Sequence, residues 1–124
     1  MKNVILTLIV VSLFSGKIFS NVNPMNKNID KNKIEINLIN GLNSGNSGLM
    51  VSSALFLGDL QLTTSVIPLM SMLHNEKNEK VRVAAALALI KIGDERGKYA
   101  VKQAAKFDNS DYVRRMCSIL SNKN

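Results

Sequence analysis

The sequence contains few aromatic residues and no tryptophan. Aromatic residues account for 5% of the 124 residues, whereas apolar residues as a whole account for 46%. A hydrophobic core must therefore be built from Ala, Leu, Ile, Val and Met, which suits packed helices better than a sandwich of strands. The length is that of one domain. We therefore expect a single all-α folded unit.

Cysteine and histidine each occur only once, as Cys117 and His74. An intramolecular disulfide is excluded, and no familiar zinc-ligand spacing can be assembled. We expect a buried thiol at Cys117 and an exposed turn residue at His74, with no metal and no cofactor. The sequence also lacks the common catalytic and cofactor motifs, namely a nucleophile elbow, a phosphate-binding glycine loop, H-E-x-x-H and a dinucleotide fingerprint. The sequence thus offers no catalytic residues and predicts a protein that is not an enzyme.

The only long hydrophobic run lies at the N-terminus. Lys2 precedes a mostly apolar stretch from Val4 to Phe14, and small or polar residues follow it. This order is typical of a secretory signal peptide, and the run is shorter than the roughly 20 residues that span a bilayer. We predict a signal peptide at residues 1–20, a flexible Asn- and Lys-rich lead-in at 21–31 and a folded domain at 32–124. A retained membrane anchor is the alternative. Cleavage would leave no stable membrane span and an exported chain, either periplasmic or secreted.

The charge of the chain is mildly basic. Removal of residues 1–20 leaves 14 Lys and Arg against 9 Asp and Glu, a net charge of +5. Such a balance permits anionic partners without requiring them. Because there is no aromatic platform for bases and the chain is predicted to be exported, we do not expect nucleic-acid binding.

Apolar periodicity divides the remaining chain into helices. The segment KIEINLINGL is ambiguous alone, since its apolar residues fit both a strand and a helix. Later segments follow helical spacing, at about 48–57, 64–73, 81–92, 96–106 and 111–120. We expect Gly58 to end a helix in the left-handed conformation, Asp59 and Asp94 to cap the helices that follow them, and Phe107 to point inward with Ala100 and Ala104.

An internal repeat organises these helices. A shift of 32 residues places Val81 and Arg82 over Val113 and Arg114, and a shift of 35 places Gly58-Asp59 over Gly93-Asp94. The repeating unit is a helix, a short turn, a second helix and a Gly-Asp turn. Each such pair leaves one apolar face uncovered, so neighbouring pairs must stack. Applied upstream, the repeat makes the ambiguous segment the first helix of a first pair, which gives three pairs.

Two stretches carry the resemblance to a known family: VRVAAALALIKIGD, which starts at Val81, and DNSDYVR, which starts at Asp108. They resemble the HEAT-like repeats of the subclass first recognised in phycobilisome lyases, in which an acidic turn precedes Val-Arg and an Ala-rich second helix. The resemblance covers about residues 32–121. It departs in the first unit, where Asn46-Ser47 stands in place of Val-Arg. The fold that it implies is a short α-solenoid of about three stacked antiparallel helix pairs, an α-α superhelix.

The resemblance also implies a role for the repeated arginines. In the family the arginine and the acidic residue of the preceding turn form a structural ladder between repeats, which here predicts Arg82 with Glu76 and Arg114 with Asp108. A second interpretation is that exposed cations on the second helices, which we expect to line a concave face, contact a partner. The predicted contact residues are Arg82, Lys91, Arg114 and Arg115.

A stack of helix pairs without a reaction centre predicts a non-catalytic module that binds another protein or acts as a scaffold. The resemblance to lyase-type repeats implies the first alternative, an accessory factor or lyase-like subunit in cofactor or chromophore attachment, for which Cys117 would be the reactive group. Binding of an anionic surface polymer is the second alternative. An apolar side of the last helix near Met116 and Leu120 also predicts self-association if it stays uncovered.

Overall fold

The computed structural model describes residues 30–123, and that part of the chain consists of helices joined by short turns, with no strand. The predicted all-α class is confirmed, and the ambiguous segment near residue 36 is a helix. The predicted signal peptide lies outside the described residues, as does nearly all of the predicted lead-in. The six helices are α1 (Lys31–Leu42), α2 (Ser47–Asp59), α3 (Val66–Asn75), α4 (Glu79–Ile92), α5 (Glu95–Phe107) and α6 (Asp111–Asn122), and a 3-10 turn at Thr63–Ser65 precedes α3.

The helices form three antiparallel pairs, α1 with α2, α3 with α4 and α5 with α6, called here the first, second and third units. The second helix of each unit packs closely on the next, α2 on α4 and α4 on α6, whereas the first helices contact one another less. Small residues of α4, among them Ala84, Ala85, Ala86 and Ala88, are buried and allow this close stacking. The predicted short solenoid is the observed architecture.

Polar side chains cap the helices. The Leu49 N–H donates to Asn46 Oδ1 at 3.0 Å at the start of α2, and the Lys80 N–H donates to Asn78 Oδ1 at 2.9 Å at the start of α4. Asp94 caps α5 and Ser110 caps α6 in the same way. Because each cap satisfies an amide that the helix itself cannot, these residues fix where the helices begin.

The two Gly-Asp turns differ from one another. Gly93 ends α4 in the left-handed conformation at φ 78°, as a helix C-cap glycine does. Gly58 instead lies within α2, so the prediction of a left-handed cap there is wrong; a Cβ at Gly58 would lie 2.8 Å from the Cα of Ala88. Asp94 caps α5 as expected, but Asp59 caps no helix and forms an ion pair with Lys91. Gly58 is thus required for close contact between α2 and α4.

The core is aliphatic. Its largest fully buried side chains include Leu57, Leu69, Leu89, Val81 and Val101, and burial of each such side chain stabilises the fold by about 1.5–3 kcal/mol. All aromatic residues of the described part of the chain are instead exposed, namely Phe56, Tyr99, Phe107 and Tyr112. The prediction that Phe107 points inward is wrong. The fold therefore does not use its aromatic side chains for packing.

None of the helices between residues 30 and 123 combines the length and the apolar character needed to cross a bilayer.

Candidate functional site

Arg82 links the second unit to the third from a buried position. Its side chain begins in the first turn of α4, and the residue is only 5% exposed. Arg82 Nη2 donates to Asp108 Oδ1 at 2.9 Å, and Nε donates to Asp108 Oδ2 at 3.1 Å. Asp108 lies in the turn between α5 and α6. The pair is a bidentate, charge-assisted contact between neighbouring units, the strongest arrangement open to these side chains.

The remaining donors of Arg82 are also used. Nη1 donates to the carbonyl oxygens of Glu76 at 2.8 Å and Lys77 at 3.0 Å, and Nη2 also donates to Asn109 Oδ1 at 3.1 Å. A guanidinium has five N–H groups, and all five have an acceptor here. Contrary to the prediction of a surface contact, Arg82 therefore has neither the exposure nor a free donor with which to bind a partner.

The ladder predicted from the resemblance is connected differently in the structure. The carboxylate that binds Arg82 is Asp108 of the next unit, while Glu76 of its own turn supplies only a backbone carbonyl. Arg114 likewise donates to the backbone carbonyl of Asp108 and forms an ion pair with Asp111. Each arginine thus binds the carbonyl six residues before it, but only Arg82 also binds a carboxylate of the following unit.

The first unit is connected to the second by a hydrogen bond between neutral side chains. Asn46 and Asn78 are the N-caps of α2 and α4, so Ser47 is the first residue of α2, and the residue of α2 that matches Arg82 is Met50. Ser47 Oγ accepts a hydrogen bond from Asn78 Nδ2 at 3.2 Å. Asn78 lies in the turn of the second unit. The prediction that Asn46-Ser47 stands in place of Val-Arg is therefore wrong, because these two residues begin the helix, and a neutral hydrogen bond connects the first unit to the turn of the second.

The other predicted contact residues do not share one surface. Lys91 forms an ion pair with Asp59 of the first unit, on the side of α4 away from Arg82. The Arg114 side chain is 35% exposed, and Arg115 is exposed beside it on α6. Contact of Lys91, Arg114 and Arg115 with a partner stays a prediction, but the structure places Lys91 on a different helix and against a different unit from the two arginines.

The single cysteine and histidine occupy different environments. Cys117 is fully buried, and burial raises the pKa of its thiol to about 11, with a further upward contribution from the Asp108 carboxylate that the Arg82 guanidinium opposes. His74 is exposed at the end of α3. Within residues 30–123, no three His, Cys, Asp or Glu side chains are grouped as metal ligands would be.

A groove of about 770 Å³ lies between α3 and α5. Met70 and Leu73 of α3 contribute apolar surface, and the small side chains of Ala100 and Ala104 leave space beside α5. The lining also includes polar groups from both helices, from the turns that follow them and from the first turn of α4, namely His74, Asn75, Glu76, Lys77, Arg82, Gln103, Asp108 and Asn109. The volume is within the range of about 300–1,000 Å³ that is typical of ligand pockets.

Two exposed aromatic side chains border this groove. Tyr99 is 65% exposed and Phe107 is 76% exposed, and both lie on α5 with Gln103 between them. Residues four apart are neighbours on a helix surface, so the three side chains form a row along the groove. Sequence reasoning missed this site because Phe107 was assigned to the core. The spacing of Tyr99, Gln103 and Phe107 is the signal that could have identified it.

Comparison with known proteins agrees with the stacked pairs. A family model described as HEAT repeats matches residues 37–120, which is more than half of the chain. The match includes the α3–α5 groove and the Arg82–Asp108 contact. No curated protein matches the chain.

Proposed function

The chain belongs to the HEAT-repeat family, and on that premise we propose that it is an exported, non-catalytic binding module whose partner protein occupies the α3–α5 groove. HEAT repeats generally mediate contacts between proteins. The observation that carries the proposal is the exposure of Tyr99 and Phe107 beside the space over Ala100 and Ala104.

Exposed aromatic side chains at a concave surface favour protein binding. Aromatic residues are enriched at interfaces because they contribute a large contact area at a small cost in conformational entropy. Phe107 and Tyr99 could bury much of that area against a partner without any change in the helices. The apolar lining of such a groove provides affinity for a partner, and its few polar groups fix the orientation of the bound partner.

The chemistry of the chain supports a role without catalysis. The carboxylate of Asp108 is held by Arg82, and Cys117 is buried with a raised pKa. At pH 7 a thiol with a pKa of about 11 is ionised in only about one molecule in ten thousand, so it is a poor nucleophile. This argues against the first alternative, accessory function in chromophore or cofactor attachment, because that alternative depends on a reactive Cys117.

Export is the part of the proposal that rests on sequence alone. Lys2 and the apolar run from Val4 to Phe14 support a secretory signal peptide. N-terminal sequencing of the protein recovered from its native envelope or medium should begin at Asn21. Recovery of a chain that still begins at Met1 would indicate the membrane-anchor alternative.

The groove is tested by affinity capture with matched variants. The full chain, Phe107→Ser and Phe56→Ser are used in parallel, since Phe56 is a comparably exposed aromatic residue at 59% that does not line the groove. We expect a defined protein to be captured by the wild type and by Phe56→Ser, and to be lost with Phe107→Ser. Equal capture by all three would refute the groove as the contact surface. Light scattering of the purified chain tests self-association as the competing explanation.

A further inference from the structure

The groove has a distinct electrostatic environment. Lys77 lies on its lining, and α5 carries Lys98, Lys102 and Lys106 in a row at intervals of four residues. On the helix surface Lys102 is three residues from Tyr99, and Lys106 is three residues from Gln103, so both lysines border the aromatic row. The side of α5 that a bound partner would cross is therefore positively charged.

Most of these cations form no ion pair within the described part of the chain. Lys98 forms an ion pair with Glu95, but Lys77, Lys102 and Lys106 form none with any residue between 30 and 123, and all three are exposed. Glu76 is the acidic residue of the lining that no ion pair holds, because Asp108 is bound by Arg82. Carboxylates supplied from outside could therefore pair with lysines on both sides of the groove.

The groove also contains a polar side chain suited to a peptide backbone. The Gln103 amide makes no side-chain hydrogen bond within the described part of the chain, and it lies midway along the groove between Tyr99 and Phe107. A side-chain amide can donate to a backbone carbonyl and accept from a backbone N–H. A helix has already satisfied those backbone groups, whereas an extended segment has not. This favours an extended ligand.

We propose that the α3–α5 groove binds an extended acidic segment of a partner protein. Apolar side chains of the segment lie over Ala100 and Ala104 between the Tyr99 and Phe107 rings. Its Asp or Glu side chains pair with Lys102 and Lys106 on one side and with Lys77 on the other, and its backbone bonds the Gln103 amide. The inference rests on the proposed function, because it assigns a ligand chemistry to the same groove.

The test starts from an unbiased pool of ligands. Random dodecapeptides displayed on phage are selected on the immobilised full chain at low salt, and the enriched peptide is synthesised with a fluorescent label for anisotropy titration. We expect enriched peptides to combine Asp or Glu with aliphatic or aromatic residues, and their binding to weaken as salt is raised. Enrichment of basic or uncharged peptides, or of none, would overturn the acidic-segment proposal.

Three variants separate the ligand chemistry from the groove itself. Lys102→Glu with Lys106→Glu should weaken binding of the acidic peptide by about 10-fold or more. Phe107→Ser should weaken it through lost apolar contact. Lys80→Glu with Lys123→Glu is the control, since both lysines are exposed but neither lies on α5 beside the aromatic row. Loss with Phe107→Ser but not with the Lys102 and Lys106 pair would overturn the acidic chemistry and leave the groove standing. Insensitivity to both would overturn both.

An anionic membrane is the competing use of the same surface. The full chain and its Lys102 and Lys106 variant are sedimented with vesicles of phosphatidylserine and phosphatidylcholine in equal amounts. We expect no sedimentation of the wild type above that seen with pure phosphatidylcholine. Lysine-dependent sedimentation, without binding of any acidic peptide, would refute the peptide proposal and assign the surface to anionic lipid.

Discussion

Replacement of Arg82 by alanine should destabilise the fold more than any other single removal of a charged side chain. The substitution leaves the Asp108 carboxylate in a pocket where its side chain is 9% exposed, with its bidentate partner gone. It also removes the donors that bind the carbonyls of Glu76 and Lys77. Several buried acceptors thus lose their partners at once, which is the costly way to break such a network.

The expected loss is about 3–5 kcal/mol of unfolding free energy, the usual cost of removing one member of a buried ion pair. Domains of this size are stable by only about 5–15 kcal/mol, so the variant should lie near the limit of folding. With a urea m-value of about 2 kcal/mol per molar, the unfolding midpoint should fall by about 2 M. Arg82→Lys should recover part of this loss, because it restores the charge without the bidentate geometry.

Urea unfolding followed by far-ultraviolet circular dichroism measures the effect, and Arg114→Ala is the matched control. Arg114 has the same helix position and the same carbonyl contact, but its ion pair with Asp111 is largely solvated. Its removal should cost no more than about 1 kcal/mol. A double-mutant cycle of Arg82→Ala with Asp108→Ala isolates the coupling. A loss for Arg82→Ala no larger than that for Arg114→Ala would refute the buried forward contact.

Further substitutions test a close helix contact, a helix cap and the buried thiol. Gly58→Ala should lower the free energy of unfolding by about 1–3 kcal/mol, because the new Cβ would lie 2.8 Å from the Ala88 Cα. Gly48→Ala in the same helix should instead stabilise the fold slightly. Equal urea midpoints for the two variants would contradict this. Ser110→Ala should cost about 0.5–2 kcal/mol through the lost cap of α6, measured by thermal unfolding. The Cys117 thiol should resist Ellman's reagent in the folded state and react after unfolding. Folding raises the pKa of the Cys117 thiol from 9.0 to about 11. The stability that the buried neutral thiol contributes is therefore complete below pH 9 and is lost as pH rises through 11. Relative to Cys117→Ala, the wild type should lose about 2 kcal/mol by pH 11, and parallel pH profiles would refute the buried thiol.

The repeat made most of the fold predictable. The shift that superposes Val81-Arg82 on Val113-Arg114 resolved the segment near Ile36, which local periodicity left undecided. The segment could be assigned as a helix because the apolar face of one unit must be covered by the face of the next. The helix boundaries also followed from local chemistry where a cap was present, as at Asp94.

Local rules failed where contact between units determined the outcome. Gly58 and Gly93 look equivalent in the sequence, yet glycine is needed at the two positions for different reasons. At Gly58 a side chain would collide with Ala88, whereas at Gly93 the backbone is left-handed. Phe107 has helical spacing with Ala100, but it is the last residue of α5 and no neighbouring side chain covers it. The resemblance predicted Glu76 of the preceding turn as the carboxylate partner of Arg82, whereas the partner is Asp108 of the next unit, 26 residues away in the sequence.

The residues that repeat and those that differ between units have separate roles. Arg82 and Arg114 recur at one position, and their hydrogen bonds are made within the array. The row of Tyr99, Gln103 and Phe107, of which Gln103 is partly buried, corresponds in the second unit to the exposed residues Ile67, Ser71 and Asn75. Since neither row packs against the core, the fold does not require aromatic rings at these positions. Replacement of an exposed side chain typically changes stability by less than about 0.5 kcal/mol. The side chains that line the groove can therefore change with the ligand while the contacts of the repeated arginines keep the helices in place. Ligand specificity should depend on the α5 surface rather than on those arginines.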